Sequence, residues 1–326
     1  MASLKLKQFL SNNSFILLII TVLVFSILFP GPGLFINRMK LVSYLIFVAM
    51  FVSGLGLSIG NIRDGLKDYK SILFSFLSVY LFFPVIAYLI LLSVNIRTGD
   101  IFVGSMILAA QSSTLASAVV LTASANGNTS LALIITIINN MASAVFTPLV
   151  LKATLSLNEP VDFDVSAMIV KLLAVLILPV LLSQFIRYHF SSFVLKTDRY
   201  RKTVSKFVVL VIVLSGAAAA SSRISDNLMH AALIVAFVSV LHLVMLLIST
   251  LYMKIAGVKK DNRAAVLFTS SQKTLPASLF IWANYFSRYT LSPIVLVLYH
   301  IVQLIIDSYI AGRLGLKKYD TDQDKS

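Results

Sequence analysis

The 326-residue chain has no cysteine, a single glutamate (Glu159) and a single tryptophan (Trp282). Without a thiol there is no disulfide, no thiolate metal site and no thiol redox chemistry. Charge is also sparse. Asp, Glu, Lys and Arg make up 12% of the residues, about half of the ~25% usual in soluble domains. Acids are scarcer than bases, 13 against 27. Fixed charge is costly at the centre of a bilayer, which accounts for the depletion. No Walker A, Rossmann, zinc or nucleophile-elbow pattern is present. Enzymatic activity is therefore not expected, and uphill transport would have to be driven by an ion gradient or by counter-transport.

What the chain does have is apolar length. It is 58% hydrophobic, with a mean hydropathy of +0.93, the composition of an all-α polytopic membrane protein. A span needs about 20 apolar residues, and ten runs qualify: roughly 14–34, 41–59, 71–94, 101–125, 129–156, 163–186, 204–222, 228–254, 263–286 and 290–312. The first follows Lys5 and Lys7 as a secretory signal would. No small-x-small cleavage site comes after it, and Pro30-Gly31-Pro32-Gly33 leads on to the next span. It is expected to be a retained helix.

The net charge of +14 sits in short loops, so membrane orientation explains it better than nucleic acid does. Lys5, Lys7, Arg63, Lys67 and Lys70 lie on the N-terminal side of the membrane. So do the cluster from Arg187 to Lys206, the cluster from Lys254 to Arg263, and the C-terminal Arg313, Lys317, Lys318 and Lys325. The other side holds only Arg38, Lys40, Arg97, Lys152, Arg223 and Arg288. The positive excess faces the cytoplasm, which predicts cytoplasmic termini in a cytoplasmic (inner) membrane. Ends on the same side require an even number of spans. Five and five then give two inverted repeats, residues 1–160 and 161–326.

Two polar interruptions break this apolar pattern. One is Gln111-Ser112-Ser113-Thr114-Leu115-Ala116-Ser117, in the fourth run. The other is Ser271-Gln272-Lys273-Thr274-Leu275-Pro276-Ala277-Ser278, in the ninth, with Ser270 just before it counted as a candidate site residue. Lipid cannot satisfy such groups, so they belong where they are buried in protein or line a watery cavity. Crossing broken helices 4 and 9 with a substrate or ion site between them are the expectation. Hydroxyl and amide oxygens suit a hard monovalent cation, although small residues also serve simple helix packing. Lys273, near mid-bilayer, must be paired, solvated or deprotonated. It reads as an anion-binding charge or as a tethered cation, against a structural bond to nearby carbonyls. Pro276 can open a new half-helix.

Thr136, Asn139 and Asn140 are placed to aim at the first break, or else to bond between helices. His300, Gln303 and Asp307 form a polar stripe on the tenth run. His300 and Gln303 are counted with the candidate site. Asp307 is expected to be neutralised near the cytoplasmic end by Arg313 or another base. Lys171 is expected to reach Asp164 or the outer surface, and His242 to be a satisfied packing residue. Trp282, Tyr285, Phe286 and Tyr289 read as an outer aromatic belt.

At these residues the chain resembles the bile acid:sodium symporter family, in particular its bacterial bile acid symporter-like branch. The likeness is carried by Gly54-Leu55-Gly56-Leu57, the segment from Gln111 to Asn128, Thr147-Pro148, Ser271-Gln272-Lys273-Thr274-Leu275, and His300 with Gln303. The resemblance implies a panel domain (spans 1, 2, 6, 7) and a core domain (spans 3–5, 8–10). It also implies alternating access and sodium-coupled uptake of an organic anion such as a bile acid, sulfated steroid or small carboxylate. Ser117, Thr136 and Gln272 match its sodium-ligand positions. Ala118, Ala132, Phe268 and Val79 stand where that family has an asparagine, a serine, the shared acid and another amide. Losing the acid and gaining Lys273 opposes a cation there, so the coupling ion is either different or bound by a rebuilt site. The expected function is thus a secondary transporter of a small organic anion, with no cofactor beyond a sodium ion. A cation/proton antiporter and a non-transporting membrane regulator or binding protein are the rivals.

Overall fold

Proline and glycine decide where this chain bends. The computed structural model describes residues 14–56, 66–115, 117–156, 163–226 and 228–323. Lys5, Lys7, Leu57, Arg63, Ala116 and Glu159 lie outside the described residues. The helices are α1 (Ser14–Leu28), α2 (Gly31–Arg38), α3 (Val42–Gly56), α4 (Tyr69–Leu77), α5 (Phe83–Ser93), α6 (Gly99–Ala109), α7 (Ser117–Ser124) and α8 (Thr129–Leu155). They continue with α9 (Val165–Leu172), α10 (Leu178–His189), α11 (Ser191–Lys196), α12 (Asp198–Asp226), α13 (Leu228–Ile255), α14 (Arg263–Ser271), α15 (Leu275–Tyr285) and α16 (Ser292–Gln323).

The ten spans read from hydropathy are not there. Among the described residues six helical stretches are long and apolar enough to cross a membrane: Tyr69–Ser93, Thr129–Leu155, Val165–His189, Thr203–Ser221, Ala232–Ile255 and Ser292–Gly315. A seventh exists only if the pair Leu17–Leu28 and Gly31–Arg38, bent by 90°, counts as one span. The scheme of two five-helix inverted repeats falls with that count. A hydropathy sum counts apolar residues but does not see the axis turn. Runs 101–125 and 263–286 are each a pair of helices of 8–11 residues. At ~1.5 Å per residue each piece spans about 12–17 Å, short of the ~30 Å hydrocarbon layer. The first run likewise ends at Pro30, and α2 leaves it at the bend instead of leading directly to the next span.

Two of the longer stretches carry a π turn just ahead of a proline. Ser78–Phe82 precedes Pro84, and Leu173–Ile177 precedes Pro179. Proline has no N–H to give the ladder, and one wide turn absorbs the mismatch. In the first case the Phe83 N–H bonds Ser78 O, five residues back. That leaves the Val79 carbonyl without its usual helical donor.

Helix α12 packs against α1, α2 and α3, and α10 packs on α3. The close approach of α2 to α12 needs Gly33, where a Cβ would lie 2.4 Å from Leu214 O. A second group joins α13 to α14 and α16, α16 to α6 and α7, and α14 to α4, α7 and α8. Its loop end is tied by side chains. Asp68 caps α4 through Ser71 N at 3.2 Å, and accepts from Asn262 Nδ2 at 2.7 Å. Asn128 caps α8 through Leu131 N at 3.0 Å and donates to Asn262 Oδ1 at 2.9 Å.

Three of the four residues of the expected aromatic belt are internal, and Tyr285 is half-buried. Trp282, Phe286 and Tyr289 are buried, and Trp282 Nε1 donates to Tyr289 O at 2.9 Å. A ring whose N–H is satisfied inside the protein has no need of the headgroup layer.

Candidate functional site

An interrupted helix frees backbone groups that must find partners when buried. The first break shows where they go. Lys273 Nζ donates to Ala109 O at 2.8 Å and to Gln111 O at 2.7 Å. Thr147 Oγ1 donates to Ala110 O at 2.8 Å, and Thr274 N to Ser112 O at 3.0 Å. Asn140 Nδ2 donates to Ser113 O at 2.9 Å. Five consecutive carbonyls are thereby satisfied, three of them by Lys273 and Thr274. The two interruptions meet.

The second break is held from α16. Gln303 Oε1 accepts from Lys273 N at 2.8 Å, and its Nε2 donates to Lys273 O at 3.0 Å and lies 2.9 Å from His300 Nδ1. Tyr299 OH donates to Ser271 O at 2.6 Å. Pro276 occupies the second position of α15, where no helical bond is lost.

Gln272 is the centre of a polar chain. Its Oε1 accepts from Ser117 Oγ at 2.9 Å and from the Thr114 hydroxyl, while its Nε2 donates to Asp307 Oδ2 at 2.6 Å. Asp307 Oδ1 faces His242 Nε2 at 3.0 Å, and His242 Nδ1 faces Tyr299 OH at 3.0 Å. Both members of the His242–Asp307 pair are fully buried.

The sequence-predicted residues therefore gather, with qualifications. Gln111, Ser112, Ser113, Thr114, Ser117, Asn139, Asn140, Gln272, Lys273, Thr274, His300 and Gln303 form one contact network, in which Ser112 Oγ donates to Asn140 Oδ1 at 2.9 Å and Asn139 Nδ2 to Ser113 Oγ at 3.5 Å. Three hydroxyls turn back onto their own helices: Thr136 to Leu133 O, Ser270 to Val266 O and Ser271 to Leu267 O. Thus Ser117 and Gln272 of the implied sodium set touch, while the Thr136 hydroxyl is spent locally. Two buried oxygens in the network, Gln111 Oε1 and Asn139 Oδ1, have no hydrogen-bond partner among the described residues.

Asp307 pairs with His242 and not with Arg313, whose Nε donates to Tyr309 OH at 3.2 Å. His242 is buried and satisfied, as expected, and its partners Asp307 and Tyr299 make it part of the polar network. The signal was available, since each is an ionisable residue within an apolar run, but their pairing joins α13 to α16 and is invisible along the sequence. Lys171 lies exposed at the surface, as one of the two expectations had it, and not against Asp164. Its Nζ donates to Asn284 Oδ1 at 2.7 Å and lies over the Tyr285 ring at 5.3 Å. Among the described residues no group of three His, Asp or Glu is placed to hold a metal.

Comparison with known proteins adds to this geometry. The profile of the SBF-like CPA transporter family (DUF4137) matches residues 13–315. The chain is 26% identical to "Probable sodium/metabolite cotransporter BASS4, chloroplastic" of Arabidopsis thaliana, over 94% of this chain and 74% of the relative. It is 24% identical to "Uncharacterized protein PA2026" of Pseudomonas aeruginosa, over 96% of both. It is also 24% identical to "Uncharacterized sodium-dependent transporter YocS" of Bacillus subtilis, over 68% of this chain and 67% of the relative.

Proposed function

We propose, from the premise that this chain belongs to the SBF-like CPA transporter family, that it moves a small organic anion across the cytoplasmic membrane by alternating access, coupled to sodium. The family, related to the bile acid:sodium symporter superfamily, makes it a secondary transporter and not an enzyme. The observation that carries the finer reading is the meeting of the two broken helices. Lys273 and Thr274 of one donate directly to Ala109, Gln111 and Ser112 of the other. A joint of this kind presents helix ends and unwound backbone at the centre of the protein, which suits ions and polar substrate groups.

Sodium comes to the proposal from the names of the Arabidopsis and Bacillus relatives, and the chemistry of one corner suits it. Thr114, Ser117 and Gln272 converge as uncharged oxygens. Hydroxyl rotation would present lone pairs to a hard cation, and Asp307, one hydrogen bond further, supplies the balancing charge. The group of α1–α3, α10 and α12 and the group centred on α13, α14 and α16 are the two bodies that would move against each other. Both termini would face the cytoplasm.

A second reading, cation/proton antiport, is favoured by one feature, the buried carboxylate Asp307 facing His242. Proteoliposomes with the purified protein distinguish them. Uptake of a labelled carboxylate and sulfated-steroid panel is measured under an inward sodium gradient, an inward proton gradient and neither. The first reading expects accumulation stimulated by sodium. No accumulation above protein-free vesicles under any condition would remove it.

A further inference from the structure

The Lys273 side chain is 1% exposed, and the acceptors around its ammonium are all neutral. Nζ donates to Val79 O at 2.7 Å, Ala109 O at 2.8 Å and Gln111 O at 2.7 Å, and sits 4.3 Å from the centre of the Phe83 ring. Three acceptors match the three donors of an ammonium; an uncharged amine would leave a lone pair facing a carbonyl. Each carbonyl is free for a local reason. Phe83 N bonds Ser78 and Pro84 has no N–H, so Val79 O has no helical donor. Ala109 and Gln111 stand at the C-terminal end of α6, where the helix dipole is negative. An aromatic face adds further attraction for a cation. Asp307, the acid that enters the network, is bonded to Gln272 and His242.

This is a cage for a monovalent cation, with the cation attached to the chain. We infer that the Lys273 ammonium is the permanent occupant of a cation site formed by the Val79, Ala109 and Gln111 carbonyls and the Phe83 ring, and that its removal opens that site to a free monovalent cation. The joint between the broken helices then keeps a positive charge throughout the cycle without taking up an ion there. The inference deepens the transporter reading at the same site, but its readout is folding stability. Absent flux leaves it standing, and its failure leaves the flux experiment undecided.

The test is thermal unfolding of detergent-purified protein in choline, sodium and ethylammonium chlorides at equal ionic strength. Wild type is expected not to distinguish ethylammonium from choline, because the cage is full. Lys273→Ala is expected to melt several degrees lower in choline and to be raised saturably by ethylammonium and by sodium. Lys273→Met, which fills the cage with an uncharged chain, is expected to fall without that recovery. Sodium bound near Gln272 would raise all three proteins alike, so only the difference between variants counts. The inference is overturned if Lys273→Ala matches wild type, or responds to cations no more than Lys273→Met. Should Lys273→Ala be hard to obtain, its recovery as folded protein from ethylammonium but not from choline supports the cage, and equal recovery or equal failure in the two counts against it.

Discussion

Gln303 grips the Lys273 peptide from both ends, accepting from its N–H at 2.8 Å and donating to its C=O at 3.0 Å. One carboxamide thus replaces the two helical bonds that residue 273 gives up by leaving the helix. This residue fixes the direction in which the lysine side chain departs. Gln303→Leu, similar in size, leaves both backbone groups buried and unpaired. Each such group costs about 1–3 kcal/mol, so a loss of several degrees in melting temperature is expected, with transport abolished. Gln303→Glu keeps an acceptor for Lys273 N and should fall between the two. Equal stability of Gln303→Leu and wild type would show that the grip is incidental.

Gln272 ties the hydroxyls of Thr114 and Ser117 to Asp307. Gln272→Leu removes the convergent oxygen and the donor to Asp307 Oδ2, leaving that carboxylate only His242. Sodium stimulation of uptake is expected to disappear, whereas Ser117→Ala, which removes one of three oxygens, should raise the sodium concentration needed by about tenfold or less, or ~1.4 kcal/mol. Uptake titrated against sodium measures both. A sodium dependence unchanged in Gln272→Leu would place the coupling ion elsewhere.

The break sites were legible because polarity inside an apolar run is a strong local signal. Gln111–Thr114 and Gln272–Thr274 lie where the sequence puts them, and Pro276 opens α15 as expected. The span count was not legible, because the 90° bend at Pro30 and the shortness of α6, α7, α14 and α15 change no hydropathy sum. The cage was half legible. Lys273 stood out as a buried charge, but its partners are backbone carbonyls, one of them freed by Pro84 nearly two hundred residues away in sequence. Backbone atoms carry no residue identity for a motif to reveal. His242 was expected to be satisfied, but its pairing was not legible, for the related reason that its partner, Asp307, comes from another helix.

The His242–Asp307 pair has no exposed face. Removing one partner of a buried pair costs about 3–5 kcal/mol because the other is left uncompensated. Asp307→Asn and His242→Leu are each expected to destabilise strongly. The double variant should be less destabilised than the sum, with a coupling of about 1–3 kcal/mol. Denaturation of the four proteins supplies that cycle. The antiport reading further requires Asp307→Asn to abolish proton-driven exchange in vesicles, so exchange at the wild-type rate would eliminate it.

Pro84 gives a prediction whose sign is opposite to the usual one. Replacing a proline inside a helix by alanine ordinarily helps, by up to about 3 kcal/mol on propensity grounds. Here the alanine N–H at position 84 would have a carbonyl to seek, and a regular ladder through Ser78–Phe82 would return Val79 O to a helical donor. The Lys273 ammonium would then lose one of three acceptors at a position 1% exposed. Pro84→Ala is therefore expected to melt no higher than wild type, and to become sensitive to ethylammonium only if Lys273 is also removed. Pro179→Ala is the control, since Pro179 follows a comparable π turn, Leu173–Ile177, in a stretch that gives Lys273 no acceptor. It should behave as an ordinary helix substitution. A Pro84→Ala protein stabilised as much as Pro179→Ala would mean that the freed carbonyl does not matter to the lysine.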